Sequence, residues 1–258
     1  MADVTHTLDG HVATITLCNE GRYNAMSLSM WLKLARTLAQ LDANPTVRAV
    51  VLRGEGDKAF VSGADISEFG AQRSSSAGVA AYDEAVAHAQ GALSSLRCPV
   101  IAAVSGICYG GGLGLILACD LRYGSPSAKF RMPAARLGLG YAFKGIRRLV
   151  AVLGAAKASE LFYTARIYDA QDAAGMGLLG SVQPDVFAYA ANTAVEIAAN
   201  APLTIHAAKL AMNALLSGNA ETALPQVDAA VEACFKSGDY LEGRAAFAEK
   251  RPPRFTGR

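Results

Sequence analysis

The chain has 258 residues, enough for one large domain, or for one domain with a small appendage, and for a substantial core. Hydrophobic residues make up 52% of it and charged residues 18%, a balance that argues against disorder. The formal net charge is +2 with both signs interspersed, and no basic stripe with interleaved aromatic residues occurs. Nucleic-acid binding therefore has little support.

Neither a disulfide framework nor a membrane span is predicted. Five scattered cysteines without a C-x-x-C motif favour free thiols in a reducing compartment, which points to a cytoplasmic protein. Four histidines form no cluster with the cysteines, so no metal site is expected, and the N-terminus lacks the features of a signal peptide. The charge-free run from Cys98 to Cys119 contains Pro99, Ser105 and five glycines, so it is interpreted as two buried elements joined by a turn.

Strands and helices are predicted to alternate over the first two thirds of the chain. Apolar runs or period-two alternation indicate strands, and apolar residues at helical spacing indicate helices. In chain order, the predicted elements are a strand at 11–17, a helix capped by Ser27, strands at 47–52 and 59–62, a loop and helix within 74–96, a strand at 100–104, a helix at 111–119, and strands at 121–123 and 129–131.

Helices alone are predicted for the remainder. Two lie at 145–153 and 155–163. A short helix is capped by Asp169 and ended by Gly175 and Gly177, and four more lie at 186–199, 203–216, 221–236 and 240–250. The alternation in the first two thirds argues for an α/β fold with largely parallel sheets. Short strands in β-β-α groups fit a spiral of repeating turns better than one doubly wound sheet.

The most informative motif is the glycine run at 108–115, Cys-Tyr-Gly-Gly-Gly-Leu-Gly-Leu. Three consecutive glycines let the backbone approach another group closely. If a helix begins there, its first N–H groups lack intrahelical partners and can hold a developing oxyanion. A second segment at 61–66, Val-Ser-Gly-Ala-Asp-Ile, could supply another backbone donor. Each segment taken alone fits tight packing at least as well.

Taken together, the two segments resemble the enoyl-CoA hydratase/isomerase (crotonase) superfamily. The similar segments occur in the same order along nearly the whole chain: Asn24–Ser27, Ala59–Ile66, Ala103–Gly112, Ala118–Asp120, Ala128–Phe130, Pro133, Arg136–Gly138 and Ala246–Arg251. The resemblance implies a crotonase-like α/β spiral of β-β-α repeats that binds acyl-CoA at residues 1–195. It also implies an α-helical C-terminal region at 196–258 that assembles a homotrimer or a dimer of trimers.

The resemblance also implies where an acyl-CoA thioester binds. Its carbonyl oxygen would lie between the backbone N–H groups of Ala64 and Gly111, which would stabilise an enolate. The positions similar to coenzyme A contacts of the family are Arg22, Tyr23, Ala25, Lys58, Ser62, Asp65 and Ile66, with Phe247 and Lys250 reaching over from a neighbouring subunit. For Lys250, a solvated lysine near a frayed helix end is an equally good interpretation. No cofactor is implied beyond the coenzyme A of the substrate.

The chain departs from the family where hydratases carry two glutamates. Those positions are Gly114, two residues after the glycine triplet, and Ala134, directly after Pro133. Neither residue can move a proton, which argues against ordinary hydratase chemistry. Tyr141 and Glu84 are candidate substitutes, although a pocket-wall aromatic and a solvated helix residue are the alternative interpretations.

Three functions stay open at this point. One is an acyl-CoA enzyme of the decarboxylase or thioesterase type, with Arg136 and Lys144 favouring an anionic acyl group. The second is a hydratase that uses substitute groups such as Tyr141 or Glu84. The third is a non-catalytic acyl-CoA-binding homologue. The sequence determines neither the acyl group nor the choice between trimer and hexamer.

Overall fold

The computed structural model describes residues 2–65 and 76–258. Its strands are β1 (Ala2–Asp9), β2 (Val12–Asn19), β3 (Ala49–Gly54), β4 (Ala59–Val61), β5 (Val100–Val104), β6 (Ile107–Tyr109), β7 (Leu121–Gly124), β8 (Lys129–Arg131), β9 (Tyr168–Asp169) and β10 (Ser181–Val182). Its helices are α1 (Leu28–Ala43), α2 (Ser76–Ser95), α3 (Gly111–Ala118), α4 (Phe143–Thr164), α5 (Ala170–Gly175), α6 (Val186–Ala198), α7 (Pro202–Ser217), α8 (Ala220–Lys236) and α9 (Gly238–Glu249).

The strands form two sheets that the chain visits alternately. The larger sheet has the order β1-β2-β3-β5-β7-β10, and the smaller has the order β4-β6-β8-β9. Pairing is parallel except between β1 and β2 and between β8 and β9. From β3 to β8 each strand of the larger sheet is followed by one of the smaller, so the chain advances as a spiral. The predicted β-β-α spiral is therefore confirmed.

Two central strands of the larger sheet are buried on both faces. Val50 and Leu52 of β3 belong to the main core, whereas Ala49 and Val51 pack on the other side with Ala190 of α6 and its neighbours. Burial on both faces explains why this segment is a continuous apolar run and does not alternate. The sheet thereby provides a rigid base for the loops that follow its strands.

The helix that follows β2 begins and packs as the sequence predicts. Met30 N–H donates to the Ser27 hydroxyl at 3.2 Å, which confirms the predicted cap. Asn24, just before it, has a φ of 56° and donates from its amide to the Ala59 carbonyl at 2.8 Å. This bond offsets the cost of the left-handed backbone and ties the loop to β4. Trp31 is fully buried and donates to the Tyr82 hydroxyl of α2 at 2.9 Å.

Two helix details predicted from single residues are also present. Asp169 caps α5 in a capping box with Asp172, whose backbone N–H donates to Asp169 at 2.9 Å. Gly154, expected to separate two helices, interrupts α4 with a φ of 72° and a ψ of 162°. The five cysteines are free thiols.

The C-terminal helices lie beyond α6 and expose many apolar side chains. The predicted division between residues 195 and 196 falls inside α6, which continues to Ala198, and that division stays a prediction. Lys209 of α7 is buried and joins this region to the core, donating to Asp120 at 2.8 Å and to the Cys98 carbonyl at 2.9 Å. We call the exposed apolar residues of α7 to α9 the C-terminal apolar face: Met212, Leu215, Leu216, Leu224, Val231, Phe235, Leu241 and Phe247.

Several strands were not among the sequence predictions. β1 pairs antiparallel with β2 as an edge strand, and its outer residues are polar or half-exposed, so the apolar pattern is weak. β6, β9 and β10 have three, two and two residues, too short for a periodicity to appear. None of the helices in the described part of the chain combines the length and apolar character that crossing a bilayer requires.

Candidate functional site

The pairing of β4 with β6 brings the two glycine segments together. Val61, at the end of β4, is paired with Cys108 in parallel β6, so the residues that follow each strand emerge side by side. A Cβ added to Gly110 would lie 4.0 Å from the Gly63 Cα. Gly63 and Gly110 have φ values of 129° and 50°, which a residue with a side chain rarely adopts. Both segments therefore need glycine to turn out of their strands at this point.

Two backbone N–H groups at this junction have no acceptor among residues 2–65 and 76–258. Met26 N–H donates to the Gly63 carbonyl at 2.8 Å, and Asp65 N–H donates to the Met26 carbonyl at 3.0 Å. This parallel bridge leaves the N–H of the intervening Ala64 directed away from Met26. Gly111 is the first residue of α3, so its N–H has no partner within the helix. Within the described residues, neither N–H donates to another group.

Close packing fixes the helix that carries one of these donors. A Cβ at Gly112 would lie 2.5 Å from the Val61 carbonyl oxygen, closer than a Cβ can approach an oxygen without movement of the backbone. A Cβ at Gly111 would lie 3.2 Å from the ring of buried Trp31. The glycines thus let α3 begin directly against β4. Because α3 points its N-terminus at this junction, its dipole favours negative charge there.

One turn further along α3, the space beside Gly114 is filled by side chains from other elements. A Cβ at Gly114 would lie 2.4 Å from the Gln90 Nε2 and 3.5 Å from the Tyr141 hydroxyl. Gln90 is a buried residue of α2. Arg148 of α4 donates to the Gln90 Oε1 at 3.4 Å and to its backbone carbonyl at 3.2 Å. We call Gln90, Tyr141 and Arg148 the donor cluster.

Burial shifts the pKa values of two residues of the donor cluster, Tyr141 and Arg148. Burial raises the pKa of Tyr141, and the charge of nearby Arg148 opposes that effect, so the phenol remains protonated. Burial also lowers the pKa of Arg148, as does the neighbouring charge of Arg147. Tyr141 packs edge-on against Phe162, with ring centroids 5.6 Å apart. The cluster therefore presents hydrogen-bond donors and positive charge, and holds no carboxylate.

Most of the expected coenzyme A positions lie together at one edge of the glycine junction. Arg22 forms an ion pair with Asp65 at 3.2 Å. Ser62 donates from its backbone N–H to the Tyr23 carbonyl at 3.0 Å and from its hydroxyl to the Arg22 carbonyl at 3.1 Å. Ala25 is buried in the same loop. These contacts fix the conformation of the loop. Binding of coenzyme A by the loop stays a prediction, which the position of the loop beside the glycine junction supports.

The remaining predicted residues are placed less favourably. Lys58 is exposed on the connection between β3 and β4, and Ile66 lies outside the described residues. Phe247 and Lys250 are exposed at the end of α9, where Lys250 has a φ of 54°. Their contact with coenzyme A from a neighbouring subunit stays a prediction.

The acid–base substitute Glu84 has no support in this geometry. It is exposed on α2, and its side chain leaves the helix in a different direction from those of buried Ala85 and Ala89. The cationic candidates Arg136 and Lys144 are exposed as well. Ala134 is buried at the start of a short 3₁₀ helix. Only Tyr141, of the predicted substitutes, contacts the glycine helix.

Two residues of the donor cluster were not predicted from the sequence. Gln90 and Arg148 lie on different helices and meet only through packing around Gly114, so no local motif identifies them. The absence of Asp and Glu from residues 133–150 was the one available signal for Arg148. Fully buried Cys108 has a pKa raised far above its usual value by burial, in keeping with its interpretation as a small apolar residue. No group of three or more His, Cys, Asp or Glu in the described ranges is arranged to hold a metal ion.

Comparisons with known proteins agree with this architecture. A methylglutaconyl-CoA hydratase of Mus musculus is 33% identical over 91% of this chain and 76% of its own. A short-chain-enoyl-CoA hydratase of Clostridium acetobutylicum is 33% identical over 94% of this chain and 93% of its own. The crystal structure of an enoyl-CoA hydratase/carnithine racemase from Magnetospirillum magneticum is 35% identical and covers 100% of this chain and 97% of its own, with a TM-score of 0.89.

The sequence model of one family covers almost the entire chain. That family is described as enoyl-CoA hydratase/isomerase, and the match runs over residues 7–258. Its extent includes both glycine segments and the C-terminal helices. The chain therefore belongs to the enoyl-CoA hydratase/isomerase family, whose members act on acyl-CoA thioesters.

Proposed function

We propose that this protein binds an acyl-CoA thioester with its carbonyl oxygen between the N–H groups of Ala64 and Gly111, and stabilises the enolate of that thioester. The observation that carries the proposal is the pair of donors where β4 and β6 end, for which the described part of the chain offers no acceptor. Removing a proton or a carboxylate beside a thioester builds negative charge on its oxygen. Donors held in advance stabilise that charge, and losing one typically costs about 3–4 kcal/mol of barrier.

Coenzyme A would lie along the loop that Arg22, Tyr23 and Ser62 form beside this junction. Arg22 is half-exposed and could pair with a phosphate while Asp65 holds its orientation. Phe247 and Lys250 would contribute from a neighbouring subunit of a homotrimer or a dimer of trimers. We place the protein in the cytoplasm, as its free thiols suggest.

The reaction proposed is not the usual hydration. Hydration of an enoyl thioester needs a base for water and a proton donor, and Gly114 and Ala134 stand where hydratases of this family carry glutamates. Tyr141 can donate a proton but is a weak base at neutral pH. Decarboxylation and thioester hydrolysis need less from such side chains, and binding without turnover needs nothing from them.

Hydration with substitute groups is the second candidate. The names of two relatives specify hydratases, and Tyr141 lies beside α3 where a water could reach it. If this candidate is correct, Tyr141→Phe lowers crotonyl-CoA hydration strongly and leaves coenzyme A ester binding intact. Hydration at ordinary hydratase rates would contradict the first candidate.

The enolate proposal is tested with acetoacetyl-CoA, whose enolate absorbs in the near ultraviolet. We expect the bound ester to ionise at a lower pH than the free ester, because the two N–H donors favour the enolate. A panel of acyl-CoA esters, with products identified by mass spectrometry, then assigns the reaction. Binding without any change in ionisation would contradict the enolate proposal.

A designed variant tests the missing carboxylates directly. Gly114→Glu alone would collide with Gln90, whereas Gln90→Ala makes room at Gly114, so the variant combines Gly114→Glu and Gln90→Ala with Ala134→Glu. We expect the triple variant to gain crotonyl-CoA hydration over the wild type. The control is Gln90→Ala alone, which should gain none.

A further inference from the structure

Two donors of the donor cluster, the Gln90 Nε2 and the Tyr141 hydroxyl, have no acceptor within the described part of the chain. Arg148 directs its guanidinium at the Gln90 Oε1, and the Gln90 Nε2 lies 2.4 Å from the position of a Cβ at Gly114, a position 3.5 Å from the Tyr141 hydroxyl. Neither that Nε2 nor the phenol donates to an acceptor in the described part of the chain. Buried donors are rarely left unpaired, so an acceptor from a ligand or from water belongs at this point.

The positive charge of the cluster is also uncompensated. Arg148 is half-buried and pairs with no carboxylate among residues 2–65 and 76–258. The segment that leads into α4 and the first residues of that helix contain no carboxylate, since residues 133–150 lack Asp and Glu. Arg147 stands next to it and is held by the Ser217 carbonyl at 2.8 Å. A charged acceptor therefore fits this position better than a neutral one.

The cluster lies at a defined distance from the proposed carbonyl site. Gly111 and Gly114 are three residues apart on α3, so the two positions are about 5–6 Å apart on one helix face. An acyl chain that begins at the Gly111 N–H spans this distance with a few bonds. The acceptor would thus belong to the third or fourth carbon of the acyl group.

We propose that Gln90, Tyr141 and Arg148 bind a carboxylate on the acyl chain, so that the ligand is a short dicarboxylic thioester of the malonyl or succinyl type. The inference rests on the thioester binding proposed above and adds the chemical class of the acyl group. The donors around the position where hydratases carry a carboxylate of their own would bind the carboxylate of the ligand instead. Gly114 is what lets the Gln90 amide approach α3 so closely.

Isothermal titration calorimetry tests the proposed carboxylate site with four ligands: malonyl-CoA, sulfoacetyl-CoA, butyryl-CoA and free coenzyme A. Sulfoacetyl-CoA carries an anionic sulfonate that cannot leave as carbon dioxide, so its binding is measured without decarboxylation. We expect both anionic esters to bind at least about tenfold more tightly than butyryl-CoA, the effect of one hydrogen bond to a charged group.

Two neighbouring arginines provide the matched variants. Arg148→Gln should remove the preference for the anionic esters and leave butyryl-CoA binding within about twofold. Arg147→Gln removes the same charge one residue earlier and should preserve the preference. Loss of the preference in both variants would contradict the assignment to Arg148 and indicate a general effect of charge.

The outcomes separate the two proposals. If the wild type binds no coenzyme A ester, the proposed function fails. If it binds butyryl-CoA as tightly as both anionic esters, the carboxylate site is wrong while the proposed function stands. This comparison uses only the wild-type protein, so it holds even if a variant does not fold.

Discussion

Gly112 is the residue on which the position of α3 depends most directly. Its missing side chain lets the helix contact the backbone of Val61, whereas a Cβ at the neighbouring Gly111 would meet the ring of Trp31 first, at 3.2 Å. The carbonyl oxygen of Val61 cannot move without bending β4. The methyl group of an introduced alanine should therefore affect stability differently at residue 112 and at residue 111.

Gly112→Ala should destabilise the protein more than Gly111→Ala, by about 1–3 kcal/mol of unfolding free energy, because it overpacks backbone against backbone. The gain in helix propensity, about 1 kcal/mol for each glycine replaced by alanine, applies to both variants and cancels in the comparison. Urea unfolding followed by circular dichroism measures the difference. Equal unfolding midpoints would show that β4 yields at no cost.

The residues of the site differ in how far they can be predicted from sequence. Gly63 and Gly110 belong to local motifs, since each follows a strand with a positive φ that favours glycine. Gln90 and Arg148 carry no such mark. They lie on α2 and α4, far apart in the chain, and meet because both helices pack around Gly114. Tertiary packing of this kind leaves no local pattern.

At the scale of elements, ionic hydrogen bonds join α9 to the C-terminal tail that follows it. Glu242 of α9 accepts from both terminal nitrogens of Arg251, at 2.6 and 2.9 Å, and from the Arg254 backbone N–H at 2.7 Å. The Arg251 bonds, followed by that of Arg254, lower the pKa of Glu242 from 4.5 to about 2. Asp239 accepts from Thr256 and Gly257 nearby.

This arrangement predicts an acid-sensitive contribution to stability. Because the folded-state pKa of Glu242 is depressed, its contribution is complete above about pH 4.5 and is lost as the pH falls towards about 2. Glu242→Gln should flatten the dependence of stability on pH in this window, measured by unfolding at stepped pH values. The control Glu221→Gln, in the first turn of α8, should retain the wild-type dependence. Identical curves for both variants would contradict the prediction.

Elements were predictable from sequence where they are long or capped. Ser27 and Asp169 mark their helices because a side-chain oxygen before an apolar run has a specific partner in the first turn. The edge strand β1 and the two-residue strands β9 and β10 were missed. Their existence depends on a partner strand supplied by the sheet.

At the scale of the whole molecule, the spiral leaves the C-terminal apolar face uncovered. α8 has no buried residue although it carries Leu224, Val231 and Phe235. A face of this kind on one chain usually marks an interface. The predicted contact of Phe247 with coenzyme A in a neighbouring subunit requires such an interface.

We therefore expect a trimer or a hexamer in solution, and Leu215→Asp should shift it towards monomer, because the charge would be buried without a partner. Size-exclusion chromatography with light scattering gives the mass. The matched control is Val195→Asp on α6, at a side chain of similar exposure that lies outside this face. A monomeric wild type would contradict the expectation.

The two donors of the glycine junction are main-chain atoms, with a consequence for mutagenesis. Ala64 is already alanine, and alanine at Gly111 would keep its N–H in place. A conventional alanine scan would therefore pass over both groups and report only on the side chains around them. Exchanging the amide nitrogen for an ester oxygen, through a hydroxy acid incorporated at residue 64 or 111, would remove each donor without changing a side chain.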